Sequence, residues 1–192
     1  MLLDEVEDRV ANGISARGIE GARLMQGFQM SFPHQRRLLH STERKYGAIF
    51  VAAGYEHIAG MPWRHEEDGW VPGPTVEELN LPFTSREDIC KAFATYHVRY
   101  TITACNPMEF CSLAAGLVSE VKADAVFLMV DRGCKGWVTG TLEVGNFLRS
   151  QGIPTMLFEG SQLDPRALDV EKVLERMDVF VRSLGYSPLD GE

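Results

Sequence analysis

The sequence predicts a three-layer α/β domain, in which a parallel sheet of four strands carries helices on both faces. Two observations support this class. Short apolar runs alternate with longer segments in which apolar residues recur every three or four positions, and unbroken apolar runs are typical of parallel strands covered on both faces. The chain has 192 residues, of which 45% are hydrophobic. It is long enough for one full core, and we expect a single domain over residues 1–192.

Four apolar runs rich in β-branched or aromatic residues are the predicted strands, at residues 23–28, 48–53, 125–130 and 154–158. Each run ends near a glycine or a charged residue. Helical sequence follows the strands, so we expect right-handed crossovers and a doubly wound sheet. The expected strand order is 2-1-3-4.

Two segments carry complete helical stripes of apolar residues. One begins at Pro107, with Asn106 as its expected N-cap. The other begins at Val170, with Asp169 as the N-cap and Gly185 at its end. Less complete stripes predict further helices at residues 2–11, 33–46, 85–97 and 141–151.

Residues 54–83 differ from the rest of the chain, because they contain four prolines and four glycines without clear periodicity. We therefore expect a long insertion loop that acts as a lid or as a contact surface. Apolar side chains suited to an interface with a second copy or a partner are Met61, Trp63, Trp70 and Val71. The two tryptophans could instead anchor the loop to the edge of the sheet.

The net charge of -8 argues against sequence-independent binding to nucleic acid or to an anionic membrane surface. The longest apolar run, at residues 123–130, is interrupted by Asp124 and is far too short to span a bilayer. Acidic residues stand at the N-terminus, where a secretion signal would carry basic ones. We therefore expect a cytoplasmic protein with no nucleic-acid or membrane partner.

The four cysteines are expected to be thiols, since a cytoplasmic location keeps them reduced. None of them forms a C-x-x-C pair, which argues against a structural zinc site. The sequence also contains no G-x-G-x-x-G and no Walker-type loop, so no dinucleotide or nucleoside triphosphate site is indicated.

Candidate binding residues follow the predicted strands. In an open parallel sheet, ligands bind beyond the carboxyl ends of the strands, where the strand order reverses. At these ends the sequence places Tyr55, Arg132, Cys134, Glu159 and Ser161. We expect Tyr55, Arg132, Glu159 and Ser161 to contact the substrate.

Cys134 follows the third predicted strand and lies between Gly133 and Gly136. Its neighbours Arg132 and Lys135 are basic, and a helix follows. Positive charge and a helix N-terminus both favour a thiolate. Three interpretations stay open: a ligand of iron or another metal, a nucleophile, or an inert thiol in a tight turn between strand and helix.

The other cysteines lie on or beside predicted helices. Cys105 comes just before the helix that starts at Pro107 and is free to point at a cofactor, so it is the second candidate metal ligand. Cys111 lies on the apolar face of that helix, and Cys90 lies on the helix before it. We expect both of these to be core residues.

Several segments occur in an order that resembles a known family. Residues 122–135 form a Lys-Ala-Asp strand that leads to a Cys-Lys turn, and residues 152–160 form a Gly-Ile-Pro strand that ends at Glu159. Asp164-Pro165 and a final helix with Arg176 and Phe180 follow, and residues 43–51 match a helix-to-strand step upstream. This order resembles the 2-hydroxyacyl-CoA dehydratase and benzoyl-CoA reductase family, in its D-component type of subunit, over about the last three quarters of the chain.

The resemblance implies a flavodoxin-like domain that pairs with a similar domain, a paralogous subunit or a second copy around a [4Fe-4S] cluster. It also implies a separate ATP-driven activator protein, which supplies an electron for the thioester carbonyl of a CoA substrate in anaerobic metabolism. The product then arises by loss of hydroxide or by reduction of an aromatic ring. A thiolate-ligated cluster in a dry crevice can be held at a low potential, as reduction of a thioester requires. Cys134 and Cys105 are the expected ligands.

The chain departs from this family in several places. From the resemblance we expect it to lack the family's N-terminal domain, and the loop after the second strand begins Gly54-Tyr55-Glu56 without a cysteine. Lys172 stands where a glutamine is usual, and Ser161 where aspartate is frequent.

Three functions therefore stay open. The first is a domain or short subunit of an iron–sulfur dehydratase or aryl-CoA reductase complex, with its own cluster or one shared with a partner. The second is a cluster-free binding or scaffold subunit of the same fold, which recognises an acyl-CoA or a partner subunit. The third is an unrelated thiol enzyme that uses Cys134. We expect an enzymatic role as part of a complex.

Overall fold

The helices and strands of the protein were located in a computed structural model, which describes residues 2–15, 19–27, 30–54, 63–67, 69–74, 78–105 and 107–189. The helices are α1 (Leu2–Ala11), α2 (Phe32–Tyr46), α3 (Arg86–Cys105), α4 (Pro107–Glu120), α5 (Lys135–Val138), α6 (Thr141–Ser150) and α7 (Val170–Ser183). The strands are β1 (Arg23–Gln26), β2 (Ile49–Ala53), β3 (Trp63–Glu66), β4 (Gly69–Pro72), β5 (Ala125–Asp131) and β6 (Thr155–Gly160). A 3₁₀ turn, Pro165–Ala167, lies between β6 and α7.

The central sheet has the order β2-β1-β5-β6, and every pairing within it is parallel. In the numbering of the four predicted strands this is the order 2-1-3-4, so the predicted topology is confirmed. The strands β2 and β6 form the two edges, and the order reverses between β1 and β5. This architecture is the flavodoxin-like arrangement that the sequence predicted.

Two apolar clusters, one on each face of the sheet, hold the three layers together. Along β5, Phe127 enters the cluster beneath α2 and α7, whereas Val126 and Leu128 enter the cluster beneath α4 and α6. Phe127 and Val126 are fully buried. Successive residues of β5 point to opposite faces of the sheet, and both faces are covered by helices. Apolar residues are therefore needed at every position, and β5 is an unbroken apolar run in the sequence.

The ends of the helices mostly follow the predicted caps. The Oδ1 atom of Asp169 accepts a hydrogen bond of 3.2 Å from the amide of Lys172, as an N-cap does. Gly185 has φ +95° just beyond α7, in the conformation that ends many helices. Helix α3 continues to Cys105, rather than ending near residue 97 as expected. The predicted N-cap Asn106 lies outside the described residues.

Residues 54–83, expected to be a long insertion loop, contain an antiparallel hairpin formed by β3 and β4. Each strand is only four residues long, too short to show a clear periodicity. Glu66 pairs with Gly69, and the two residues between them in the sequence, Glu67 and Asp68, are not the Asn-Gly or Asp-Gly pair typical of two-residue hairpin loops.

Trp70 anchors this hairpin on α4, whereas the alternative considered from the sequence was an anchor on the edge of the sheet. Its indole Nε1 donates a hydrogen bond of 2.7 Å to the Oγ atom of Ser112. Its ring lies so close to Gly116 that a Cβ atom there would be 2.8 Å from the Cβ atom of Trp70. The side chains of Trp63 and Met61 lie outside the described residues.

Among the residues that the structure describes, no helix is both long and apolar enough to cross a membrane.

Candidate functional site

The carboxyl ends of β5 and β6 are tied together by a buried acid. Asp131 ends β5 with 1% of its surface exposed. Its Oδ1 atom accepts hydrogen bonds from the amide of Gly133 at 2.7 Å and from the amide of Gln162 at 3.4 Å. One carboxylate therefore connects the turn after β5 with the loop after β6.

Ser161 supports the same turn from the β6 side. The Oγ atom of this buried residue accepts a hydrogen bond of 3.2 Å from the amide of Asp164. A Cβ atom at Gly133 would lie 3.1 Å from that oxygen and 3.3 Å from Asp131 Oδ1. The close packing favours glycine at this position. The structure thus shows Ser161 ordering its own loop by hydrogen bonds and packing closely against the turn after β5, and its contact with a substrate stays a prediction.

Cys134 lies directly after this braced turn, at the carboxyl edge of the sheet and at the N-cap position of the short helix α5. It is a free, half-buried thiol, and its carbonyl accepts a hydrogen bond of 3.0 Å from the amide of Val138. It is not a member of either apolar cluster. The structure thus places the thiol at the predicted edge, and its chemical role stays a prediction.

Arg132 and Glu159 form an ion pair at the ends of β5 and β6. The guanidinium Nε donates to Glu159 Oε2 at 3.0 Å, and Nη2 donates to the same oxygen. Both side chains are more than half exposed, so the pair contributes little to stability. Two of the predicted substrate contacts are therefore neighbours at one edge of the sheet.

A crevice of about 480 Å³ opens beside this ion pair, along the free edge of β6 between α6 and α7. Its lining includes Arg132, Leu142, Leu157, Glu159, Lys172 and Arg176. The volume lies within the range of small-molecule sites. Neither Lys172 nor Arg176 was among the substrate contacts predicted from the sequence. The signal for them was two cations four residues apart, on one face of the last helix.

The remaining predicted site residues are not brought to this edge by the described structure. Tyr55 lies outside the described residues, and so does the side chain of Cys105, whose backbone ends α3. Cys111 is buried on the apolar face of α4, as predicted. Burial, together with the nearby carboxylate of Glu143, raises the pKa of the Cys111 thiol. Because this favours the neutral form, Cys111 is a poor candidate for a metal ligand.

The expectation that Cys90 is a core residue was wrong, because the structure shows it exposed on α3. Its apolar neighbours Ile89 and Phe93 are also exposed. The half of α3 with described side chains therefore packs little of its apolar surface within this chain.

The described residues offer few ligands for an iron–sulfur cluster. Within the described part of the chain, no group of three or more His, Cys, Asp or Glu side chains could hold a metal ion. A [4Fe-4S] cluster is held by four thiolates as a rule. The described residues therefore do not fit a complete cluster site, and Cys134 is the one described thiol that lies at the carboxyl edge.

A four-stranded parallel sheet with helices on both faces, and with polar turns at the carboxyl ends of β5 and β6, defines the class of the protein: a flavodoxin-like α/β domain. Comparison with protein families narrows this class. Residues 1–184 match the family described as 2-hydroxyglutaryl-CoA dehydratase, D-component. The chain belongs to this family, and the resemblance seen in the sequence is confirmed.

A search of curated proteins gave a consistent relative. The chain is 33% identical over 70 residues to the alpha subunit of (R)-2-hydroxyglutaryl-CoA dehydratase from Acidaminococcus fermentans. This match covers 36% of the chain and 15% of that subunit. The relative is a subunit of a dehydratase, so the family and the relative both indicate a dehydratase-type subunit.

Proposed function

We propose that this chain binds a CoA thioester at the carboxyl edge of its sheet and takes part in the dehydration of a 2-hydroxyacyl-CoA within a larger complex. The observation that carries the proposal is the position of Cys134, in a braced turn that also supplies Arg132 to the neighbouring crevice. The description of the family favours dehydration over reduction of an aromatic ring. By the same resemblance, its partners are a paralogous subunit or a second copy, and an ATP-driven activator protein.

The described residues have distinct parts in this proposal. Asp131 holds the turn after β5 in place, Ser161 orders the loop after β6, and the exposed pair of Arg132 and Glu159 meets the substrate. A thioester that approaches this edge needs no rearrangement of the buried layers, because the half-buried Cys134 lies outside the apolar clusters and the crevice opens beside the exposed pair of Arg132 and Glu159.

Cys134 has the most specific role in the proposal. We infer that its thiolate is one ligand of an iron–sulfur cluster, and that the other ligands come from a partner subunit or from cysteines outside the described residues, such as Cys105. The cluster would supply electrons of low potential when bound. Support for this role comes from the Cys-Lys turn of the family resemblance and from the position of Cys134 at the edge.

A second candidate function is a cluster-free subunit that binds an acyl-CoA or a partner. It is favoured by one observation, since the described residues contain no group of three metal ligands. In this case Cys134 would be an ordinary thiol in a tight turn.

Iron analysis of the full chain separates the two candidates. We expect iron in the protein after anaerobic purification, and loss of most of it in Cys134→Ser, because serine is a poor ligand for iron–sulfur clusters. The matched control is Cys90→Ser, which removes an exposed cysteine from α3 and should keep its iron. Equal iron in the wild type and in Cys134→Ser would contradict the ligand role. Absence of iron from all three proteins would support the cluster-free candidate.

A further inference from the structure

The crevice along the free edge of β6 has an unusual charge for this protein. Its rim carries the cations Arg132, Lys172 and Arg176 and the carboxylates Glu159 and Asp169, a net charge of +1 from three cations and two acids. The chain as a whole has a net charge of -8. A cationic crevice on an acidic protein concentrates anionic ligands locally.

Both carboxylates of the rim already have partners. Glu159 accepts from the guanidinium of Arg132, and Asp169 accepts from the amide of Lys172 as the N-cap of α7. The ammonium of Lys172, by contrast, makes no ion pair with any residue that the structure describes. Lys172 therefore carries a positive charge into the crevice with no described carboxylate bound to it.

Arg176 lies one helical turn after Lys172, so both side chains are on the same face of α7. Its Nη2 donates a hydrogen bond of 2.7 Å to the carbonyl oxygen of Leu157, on the free edge of β6. That bond uses one of the five N–H donors of a guanidinium and holds the group at the crevice. Arg176 is therefore held in position beside Lys172.

The floor of the crevice is apolar. Its lining includes the buried side chains of Phe158 and Val173, the partly buried Leu157 and the exposed Leu142. An apolar floor suits a flat ring, and adjacent cations suit phosphate oxygens. A nucleotide combines these two features in one ligand.

We propose that this crevice binds the nucleotide end of the CoA thioester, with Lys172 and Arg176 on its phosphates and the adenine ring on the apolar floor. The inference rests on the proposed function, since it assigns a subsite for the substrate proposed there. Arg132 belongs both to the crevice and to the turn that carries Cys134. The nucleotide would thus be anchored beside the edge at which the thioester reacts.

Calorimetric titration of the full chain with five probes tests this assignment: CoA, adenosine 3′,5′-bisphosphate, pantetheine, ATP and inorganic phosphate. We expect CoA and the bisphosphate to bind, with ATP weaker than CoA, and with pantetheine and phosphate too weak to detect. In Lys172→Gln the affinity for CoA should fall about tenfold, as expected for loss of one charge-assisted contact. Lys172→Glu, at the same exposed position, should weaken binding further.

The matched control is Lys91→Gln, which removes one positive charge from an exposed position on α3. It should leave the affinity for CoA unchanged. Equal losses in Lys91→Gln and Lys172→Gln would show a general charge effect and overturn the assignment, as would unchanged affinity in both Lys172 variants. Phosphate or ATP binding as tightly as CoA would also overturn it.

This test is independent of the iron test. If the iron content falls in Cys134→Ser but the affinity for CoA is unchanged in the Lys172 variants, the assignment of the crevice alone is contradicted. If the affinity for CoA falls in the Lys172 variants but the iron content is unchanged in Cys134→Ser, the role of Cys134 as a cluster ligand alone is contradicted.

Discussion

Asp131 is the residue on which the geometry of the candidate site depends most. It is buried, and it accepts two amide hydrogen bonds from different loops. If the carboxylate were removed, both amides would lose this acceptor, and the turn after β5 would lose its link to the loop after β6. The sequence contains a signal for this role, because an acid two residues before Gly133 can form an Asx turn. The second bond, to Gln162, is a contact between distant parts of the chain and has no local signal.

We predict that Asp131→Ala destabilises the protein by about 1–3 kcal/mol, because it removes two part-buried hydrogen bonds to a charged acceptor. Urea denaturation followed by circular dichroism measures this change. Asp131→Asn keeps an acceptor oxygen and should lose less. Glu159→Gln is the control, since it breaks only an exposed ion pair and should cost under about 1 kcal/mol. A loss in Asp131→Ala no larger than in the control would contradict the bracing role.

At the scale of elements, α2 and α7 are joined by a network around Asp178. Its carboxylate contacts Lys45 and Tyr46 from α2, and Arg182 from α7 at 3.1 Å. Hydrogen bonds from Lys45 first, and then from Tyr46, lower the pKa of the Asp178 carboxyl below its ordinary value of 3.8. Since the folded pKa is lowered, the network stabilises the fold above the ordinary pKa, and this contribution is lost as the pH falls through the folded pKa.

We predict that Asp178→Asn lowers the free energy of unfolding at neutral pH by up to about 1 kcal/mol, a modest amount because the network is solvated. The difference from the wild type should shrink from about pH 5 downward. Urea denaturation at a series of pH values measures it. Glu171→Gln, which breaks an exposed ion pair with Arg37 between the same helices, is the control. A difference that stays constant down to low pH would contradict the linkage.

The elements also show what the sequence could predict. Strands β1, β2, β5 and β6 were predictable because burial on both faces leaves continuous apolar runs. Helix α7 was predictable because its stripe and its cap are both local. The hairpin of β3 and β4 was missed, since its strands are short and its stability comes from Trp70 packing on α4. Exposure of Cys90 was missed because a stripe shows which face is apolar, but not whether another element covers it.

For the whole molecule, topology brings the candidate site together. The rule for parallel sheets favours a ligand where the strand order reverses, between β1 and β5, and it places Arg132 and Glu159 at neighbouring strand ends, where they meet. It did not indicate Lys172 and Arg176, because the contact of α7 with the free edge of β6 depends on how the last helix packs. Nor could spacing along the chain decide whether the cysteines meet, since Cys90, Cys111 and Cys134 lie in three different environments.

The central claim is that Cys134 and the crevice form one site for a CoA thioester. Mass spectrometry of iodoacetamide alkylation, on metal-free protein with and without CoA, tests it most directly. We predict that CoA slows alkylation of Cys134 and leaves that of Cys90 unchanged, because Cys134 follows a turn that lines the crevice and Cys90 is exposed on α3. The protection should decline in Lys172→Gln at the same concentration of CoA. Alkylation of Cys134 at the same rate with and without saturating CoA would contradict the claim.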